Sequence, residues 1–377
     1  MFVHKRRLIG MRTTNHLVVL ICGLIAALLM PQFAAAANPI TKPFEISGWI
    51  PYWRAATGTA ETLAHLETFT EVNPFGYTVD RDGNLNDAAL LLQEPWTTLR
   101  KQSKDKRVRY IPTVMWSDAD AMHTVLKDPK KRAAHIRQIV DEVETHGWDG
   151  IDIDYEGKMA ETRPYFTLFL KELYTRIGNK WVMCTVESRI PLTDRYYGTT
   201  PPKDAGVYAN DFNALNKYCD RVRFMTYDQQ TVDAKRGDEA AKAGATYGPV
   251  ADVVWVEKAI KEAMKTIPKR KIMIGIATYG YEWDVKAYSD GFVYDLLWSF
   301  NPQWGIDLAA KYGITPERNF GGEMGFTYTP SEGDVKVPPP ISGTYSGHMV
   351  AAAAAAIAQA QNTNVSFRML TWSDAEA

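Results

Sequence analysis

Short runs rich in β-branched and aromatic residues recur every 30 to 45 residues, and this rhythm constrains the fold more than any other feature of the chain. Stretches with helical periodicity separate them, such as 163–178, whose apolar residues fall on one helical face. Strands and helices that alternate in this way predict a parallel sheet. The predicted strands are 44–53, 71–79, 107–116, 148–156, 181–188, 221–228 and 271–280.

One region of this size with this alternation predicts an α/β fold of the (β/α)₈ TIM barrel type. An open doubly wound sheet is the alternative, although no G-x-G-x-x-G phosphate loop follows the first predicted strand. We expect barrel strands one to seven within residues 38–280. Residues 281–368, where Gly, Pro and aromatic residues break the rhythm, predict a small α+β insertion after strand seven.

The number of predicted strands is one short of a closed barrel. Residues 369–377 resemble the start of the last barrel segment, after which the chain stops. Either an eighth strand escapes detection, or the chain is a fragment truncated before strand eight. The fragment is the working expectation, and it leaves unpaired edges on strands one and seven.

The first 37 residues have the pattern of a secretory signal peptide. Basic residues precede an apolar run of 14 residues, Leu17–Met30, which is short for a membrane-spanning helix. Small residues follow, and we expect cleavage after Ala36 or Ala37. The mature protein would then be secreted or held in the cell envelope. An uncleaved membrane anchor is the alternative.

Charge and cysteine content narrow the classes of function. Residues 1–37 carry four basic and no acidic residues, so their removal changes the formal net charge from −1 to −5. A mildly acidic exported domain is a poor candidate for nucleic-acid binding. Cys184 and Cys219 could pair after export, but two cysteines make no disulfide framework, and we expect buried free thiols. We also expect a monomer without membrane contact once the signal peptide is removed.

Carboxylates crowd the predicted strand WDGIDIDYEG, residues 148–157. Because side chains alternate across a strand, Asp152, Asp154 and Glu156 share one face, and the apolar residues between them share the other. In a barrel the acids would point into the lumen, with Glu156 at the C-terminal end, where barrel active sites lie. Carboxylates spaced about 6–7 Å apart repel one another, so at least one should keep its proton, as general-acid catalysis requires.

Two other interpretations of this segment are weaker. The acids resemble the start of an EF-hand calcium loop, but its twelfth position would be Arg163 rather than Glu. A solvated edge strand is the other interpretation, and the position within a β–α series argues against it. The seven histidines show no H-E-x-x-H spacing, so we expect no metal and no cofactor.

The motifs of the chain resemble those of glycoside hydrolase family 18, the chitinase-like barrels. DGIDIDYE at 149–156 matches the family pattern D-G-x-D-x-D-x-E, and FMTYDQ at 224–229 is similar to its strand-six motif M-x-Y-D. GWIPYW at 48–53 resembles the first strand, and IATYGYEW at 276–283 the end of the seventh. GPVADVVWVE at 248–257 resembles the bacterial branch with spore-cortex and peptidoglycan-lytic members.

Two features of the family are not matched. The third strand ends in PTVMWS, without the S-x-G-G motif of many chitinases. The strand-eight Trp that floors the sugar site is missing, and Trp372 instead resembles the segment before the last helix. Because strand eight and its Trp are missing, a non-catalytic carbohydrate-binding protein of the same fold is the alternative function.

The resemblance implies substrate-assisted, retaining hydrolysis of β-1,4 bonds next to N-acetylglucosamine, in chitin, chitooligosaccharides or peptidoglycan. Glu156 would protonate the leaving oxygen and later activate water. Asp154 would orient the acetamido group, and Asp152 would hold the proton when Asp154 turns toward Glu156. Tyr227 would hydrogen-bond the acetamido carbonyl and complete the catalytic set.

The expected partner is therefore a polysaccharide that contains N-acetylglucosamine. Aromatic rings at strand ends can stack on the apolar face of its sugars, although core packing is the open alternative for each ring. The candidate substrate-binding residues are Asp228, Met225, Gln229, Trp53, Trp116, Tyr281 and Trp283.

Overall fold

The computed structural model describes residues 44–288, 291–331 and 365–373. The predicted signal peptide lies outside the described residues. The strands are β1 Ser47–Pro51, β2 Glu71–Val79, β3 Leu85–Asp87, β4 Arg109–Tyr110, β5 Thr113–Trp116, β6 Gly150–Tyr155, β7 Trp181–Glu187, β8 Arg221–Met225, β9 Ile272–Ile274, β10 Gly280–Tyr288, β11 Gly291–Phe300, β12 Glu317–Arg318, β13 Met324–Tyr328 and β14 Val365–Trp372.

The helices occupy the intervals between the strands. They are α1 Ala55–Ala64, α2 Trp96–Lys106, α3 Ala119–Lys127, α4 Pro129–His146, α5 Arg163–Arg176, α6 Leu192–Arg195, α7 Phe212–Tyr218, α8 Ala234–Lys242, α9 Val253–Met264 and α10 Pro302–Tyr312. Among the helices of the described ranges, none combines the length and the apolar character needed to cross a bilayer.

The larger sheet has its parallel strands in the order of the chain, β1-β2-β5-β6-β7-β8-β9. A doubly wound sheet reverses its strand order at a switch point, whereas a barrel adds each new strand to the same edge. The observed order therefore confirms the predicted TIM-barrel type of α/β fold, here as a half-barrel. Within the described residues, β1 and β9 each have one parallel neighbour.

Side-chain contacts across the concave face show how strongly this sheet curves. Trp49 of β1 donates a hydrogen bond of 3.0 Å to Asp152 of β6. Arg223 of β8 reaches the opposite side of the sheet, where it pairs with Glu71 and donates to Asn73 of β2 at 2.9 Å. Strands that are far apart in the sheet order thus face one another across a common interior.

The convex face of the sheet carries the hydrophobic core. Ile151, Ile153 and Tyr155 of β6 are at most 1% exposed and pack in one cluster with apolar residues of α4 and α5. In α5, which begins with Pro164 in its first turn, Phe166 and Phe169 pack against Tyr155. The alternation predicted for β6 is therefore present, with the apolar side toward the helices.

A second, antiparallel sheet has the order β11-β10-β14-β13-β12 and packs with α10. This part of the chain corresponds to the insertion predicted after strand seven. Its boundary differs from the prediction, because β14 pairs with both β10 and β13 through Trp372. Residues 369–372 therefore belong to this second sheet rather than to a further barrel segment.

The expectation of free thiols is wrong, because Cys184 and Cys219 form a disulfide. Cys184 lies on the convex face of β7, and Cys219 lies where the chain leaves α7 to enter β8. Their Cα atoms are 6.0 Å apart, within the range that a disulfide spans. Both residues are fully buried beside the helices.

Candidate active site

The acidic strand β6 lies between β5 and β7 near the middle of the sheet. Its first residue is Gly150, where a Cβ atom would lie 2.2 Å from the carbonyl oxygen of Trp181. Only glycine allows so close an approach of β7 at this point. Asp152 and Asp154 follow on the concave face, and Glu156 lies just beyond the end of the strand.

Asp152 is fully buried and accepts hydrogen bonds from four side chains. Trp49 and Thr113 donate at 3.0 and 2.9 Å, Thr185 donates at 2.9 Å, and Arg223 donates at 2.8 Å. Four donors around two oxygens suit a carboxylate, which only accepts hydrogen bonds. Side chains of β1, β5, β7 and β8 therefore engage both oxygens of Asp152.

Asp154 lies in different surroundings although it is only two residues away. Its side chain is 4% exposed, and its Oδ1 atom has no hydrogen-bond partner among the described residues. Burial, followed by the charges of Glu156 and Asp152, raises the pKa of Asp154 well above its usual value. Both causes favour the protonated form of the Asp154 carboxyl group.

Glu156 is half-buried at the C-terminal end of the strand, and its backbone N–H donates to the carbonyl of Trp116 at 2.8 Å. Burial and then the charge of Glu187 raise its pKa, while Lys158 and a hydrogen bond with Asp154 lower it. A carboxyl group that is accessible and has a raised pKa is suited to donate a proton.

The segment after β8 brings a tyrosine and a carboxylate to the same end of the sheet. Tyr227 is half-buried, with its ring centroid 6.3 Å from that of Tyr279. Asp228 has a positive φ of 56° and accepts hydrogen bonds from the hydroxyl groups of Tyr279 and Tyr281. Met225 ends β8 beside them, where its carbonyl accepts a hydrogen bond of 2.8 Å from Ser188.

Four predicted substrate-binding residues are instead buried in the protein. Trp116 is 1% and Trp283 is 0% exposed, so neither ring can stack on a sugar. Gln229, 1% exposed, uses its amide to bind Tyr247 and the backbone of Asp252.

Tyr281 is the fourth of these residues, and its ring is 2% exposed. Its hydroxyl group contacts Asp228, so it acts on the site through that carboxylate rather than as a stacking surface. Trp53 differs from all four, because it is 57% exposed in the turn after β1. Its ring packs edge-on against Phe75 at 5.9 Å between centroids. It remains a candidate for sugar stacking.

The sequence interpretation missed several charged residues of this site. Arg223, Glu71 and Asn73 form the network behind Asp152, and Glu187 and Lys158 lie beside Glu156. One signal was available, since Arg223 stands between the apolar residues Val222 and Phe224 in the predicted strand 221–228. A charged residue in such a strand faces either a partner or a functional site.

The arrangement places a fully hydrogen-bonded aspartate, a buried aspartate with a raised pKa and an accessible glutamate with a raised pKa in a row. This set can donate and accept a proton at one point and can stabilise a positive charge beside it. Within the described residues, no group of three or more His, Cys, Asp or Glu side chains is arranged to hold a metal ion.

Comparisons with known proteins show which solved structures share this fold. A solved structure of the Bacillus cereus spore cortex-lytic enzyme SleL aligns over 88% of this chain and 65% of its own, with a TM-score of 0.58 and 18% identity. A chitinase from Chromobacterium violaceum aligns over 88% and 87%, with a TM-score of 0.61 and 17% identity. At these identities the two structures show that the fold is shared.

Sequence similarity extends to curated proteins. The cortical fragment-lytic enzyme of Bacillus anthracis is 24% identical over 267 residues, which cover 67% of this chain and 56% of the relative. The chain spans about half the length of the curated relatives it matches. The family model "Glycosyl hydrolases family 18" matches residues 49–335, well over half of the chain. On this match, the chain belongs to family 18 of the glycosyl hydrolases.

Proposed function

We propose that this protein is a glycosidase that cleaves β-1,4 bonds next to N-acetylglucosamine by substrate-assisted, retaining catalysis. The observation that carries the proposal is the difference in surroundings among the three acidic residues along β6 and at its end. Asp152 is surrounded by donors, Asp154 is buried with a raised pKa, and Glu156 is accessible with a raised pKa. Family membership supports a glycosidase, and the order of these three environments supports the mechanism.

In the first step, Glu156 gives its proton to the glycosidic oxygen, and the bond from that oxygen to the anomeric carbon breaks. The acetamido oxygen of the substrate bonds to the anomeric carbon and forms an oxazolinium ion. Asp154 orients the acetamido N–H, and Tyr227 donates a hydrogen bond to the acetamido oxygen. Asp152 lies behind Asp154 on the same face, where its four hydrogen-bond donors hold it in place.

In the second step, water attacks the anomeric carbon from the face that the leaving group occupied. The ionised Glu156 takes a proton from this water, and the bond to the acetamido oxygen breaks. The two displacements together retain the β configuration. No proton needs to move to Asp152 in this scheme, which agrees with its four donors.

The substrate class is a polysaccharide that carries an N-acetyl group at the cleaved sugar. Chitin, chitooligosaccharides and peptidoglycan all meet this requirement. The similarity to cortical fragment-lytic enzymes favours cell-wall material as the substrate. Because the chain is also similar to chitinases, chitin is tested as a second substrate. Trp53 offers an exposed ring on which a neighbouring sugar can stack.

We also propose that the protein is exported after removal of its N-terminal 37 residues and acts as a monomer. The disulfide between Cys184 and Cys219 supports an oxidising compartment, because such bonds are rare in reducing ones. N-terminal sequencing of exported protein should begin near Asn38. A protein that retains residues 1–37 would support the membrane-anchor alternative.

The direct test of the activity is digestion of chitooligosaccharides and purified peptidoglycan, with products identified by mass spectrometry. The unmutated protein should cleave at least one of these substrates. Glu156→Gln keeps the size of the side chain and removes the acid, so it should lose about 100-fold to 10,000-fold in kcat. Equal rates for Glu156→Gln and the unmutated protein would refute the role of Glu156. Binding without products would favour a carbohydrate-binding protein.

A further inference from the structure

Glu187 ends β7 and reaches the turn that directly follows Glu156. Its Oε1 atom accepts a hydrogen bond of 2.8 Å from the backbone N–H of Gly157. Its Oε2 atom accepts one of 2.7 Å from Asn210, which is 8% exposed. The Glu187 side chain is 42% exposed, so it borders the open end of the site while both of its oxygens bind protein.

The contact with Gly157 completes a two-sided support for the backbone of Glu156. On the β5 side, the Glu156 N–H donates to the carbonyl of Trp116 at 2.8 Å. On the β7 side, Glu187 holds the next N–H along the chain. Gly157 has a φ of 64°, a turn conformation that glycine adopts without a steric penalty. Neighbouring strands thus fix the point from which the Glu156 side chain projects.

Lys158 supplies the opposite charge behind the same turn. Its side chain is 1% exposed, and its Nζ lies 3.8 Å from Glu187 and 4.9 Å from the ring centroid of Phe166. The Nζ also donates to the carbonyl of Tyr155. Burial lowers the pKa of Lys158, while Glu187, Asp154 and Glu156 raise it.

We propose that Glu187 is a positioning residue for Glu156, which it serves by holding the following turn and by placing a negative charge beside it, with Lys158 as the opposing charge. The proposal deepens the proposed function and rests on the role given there to Glu156. Neither Glu187 nor Lys158 belongs to the motifs by which the family resemblance was drawn.

Four titratable groups surround Glu156. Glu187 faces it from β7, Asp154 from β6, Asp228 from the segment after β8, and Lys158 from its own turn. Burial is the largest cause of the raised Glu156 pKa, and the charge of Glu187 is the next. The charge of Lys158 lowers the Glu156 pKa, and the hydrogen bond with Asp154 lowers it further. The charge of Asp228 raises it.

The sign of the expected effect follows from the chemistry. Glu156 must carry a proton to act as the acid, so kcat should fall as the pH rises through its pKa in the complex. Glu187→Gln keeps an acceptor for Gly157 but removes the negative charge, so this fall should begin at lower pH. Lys158→Met keeps the length of the side chain and removes the positive charge, so the fall should move to higher pH.

The test is the pH profile of kcat on an N-acetylglucosamine oligomer for the unmutated protein and both variants. Glu172→Gln is the matched control, because Glu172 is a partly buried glutamate that pairs with Arg132 between two helices. The control profile should overlay that of the unmutated protein. Opposite displacements in Glu187→Gln and Lys158→Met support the proposal, and superimposable profiles in all four proteins overturn it.

A second measurement separates this proposal from the proposed function. The Glu156 carboxyl carbon can be titrated by NMR in protein with ¹³C-labelled glutamate, with Glu156→Gln to assign the signal. Glu187→Gln should lower the pKa read from this titration whether or not the protein cleaves the oligomer. An unchanged titration would overturn the proposal. An inactive unmutated protein would count against the proposed function alone.

Discussion

At the residue scale, Asp152 and Asp154 of β6 and Glu156 just beyond it look equivalent in the sequence but have different surroundings. The alternation of side chains correctly predicts that Asp152 and Asp154 share the concave face, with Glu156 at its end. It cannot predict their surroundings, because the partners of Asp152 come from β1, β5, β7 and β8. Only the strong curvature of the sheet brings these segments together. The predicted proton in this set and the predicted role of Asp152 as its store stay predictions.

Arg223 is the residue on which this arrangement depends most. It is 3% exposed and pairs with Glu71 and Asp152, whose side chains are both fully buried. Arg223→Met would leave these carboxylates without their shared cation, and removal of one partner from a buried pair costs about 3–5 kcal/mol. We expect urea unfolding to show a loss of this size in the free energy of unfolding.

An exposed ion pair provides the control for this prediction. Lys265 pairs with Glu262 at the end of α9 and is 67% exposed. Lys265→Met should change the free energy of unfolding by less than about 1 kcal/mol, because surface pairs contribute little. Equal losses in Arg223→Met and Lys265→Met would show that the buried network does not hold the concave face together.

At the scale of strands and helices, the positions of the elements were easier to predict than the faces of their aromatic residues. All seven predicted barrel strands are present. Trp116 does end a strand, as predicted. Thr113 contacts Asp152 on the concave face, and because side chains alternate, Trp116 of the same strand points to the helices. The same alternation would have excluded Trp116 from the substrate-binding set. Trp283 and Gln229 pack where the second sheet meets the barrel, a contact that no local pattern reveals.

The disulfide between Cys184 and Cys219 joins β7 to the start of β8, with 35 residues of sequence separation. Closing a loop of this length stabilises a protein by roughly 3–4 kcal/mol. We expect Cys184→Ala/Cys219→Ala to unfold at lower urea concentration than the unmutated protein. A reducing agent should move the unmutated protein toward the double variant and leave that variant unchanged. Two titratable thiols in the unmutated, oxidised protein would contradict the pairing.

At the scale of the whole molecule, the order of strands follows directly from the rhythm of the sequence. Each β–α unit adds its strand beside the previous one, so regular spacing predicted the barrel type without knowledge of any contact. The second sheet was predicted only as an irregular lobe. Its strand β14 lies far along the chain from its partner β10, and pairings over such a distance leave no periodic signal.

Both sheets contribute to one end of the site, which explains why the site could be predicted only in part. The motif residues Asp228 and Tyr227 follow β8, whereas Tyr281, which binds Asp228, lies on β10 of the second sheet. The second sheet also fixes the loop at 249–252, since Glu323 accepts hydrogen bonds from the backbone of Val250 and Ala251 at 3.0 and 2.7 Å. The insertion is thus part of the framework that positions the motif after β8.

The central claim is that the substrate's own acetamido group takes part in cleavage while Glu156 transfers the proton. The most direct measurement is ¹H NMR of the anomeric protons during digestion of a chitooligosaccharide, recorded before the products equilibrate. Two successive displacements predict that the β anomer forms first and that the α anomer follows by slow mutarotation. If the α anomer formed first, the reaction would proceed by a single displacement, and the proposed mechanism would be wrong.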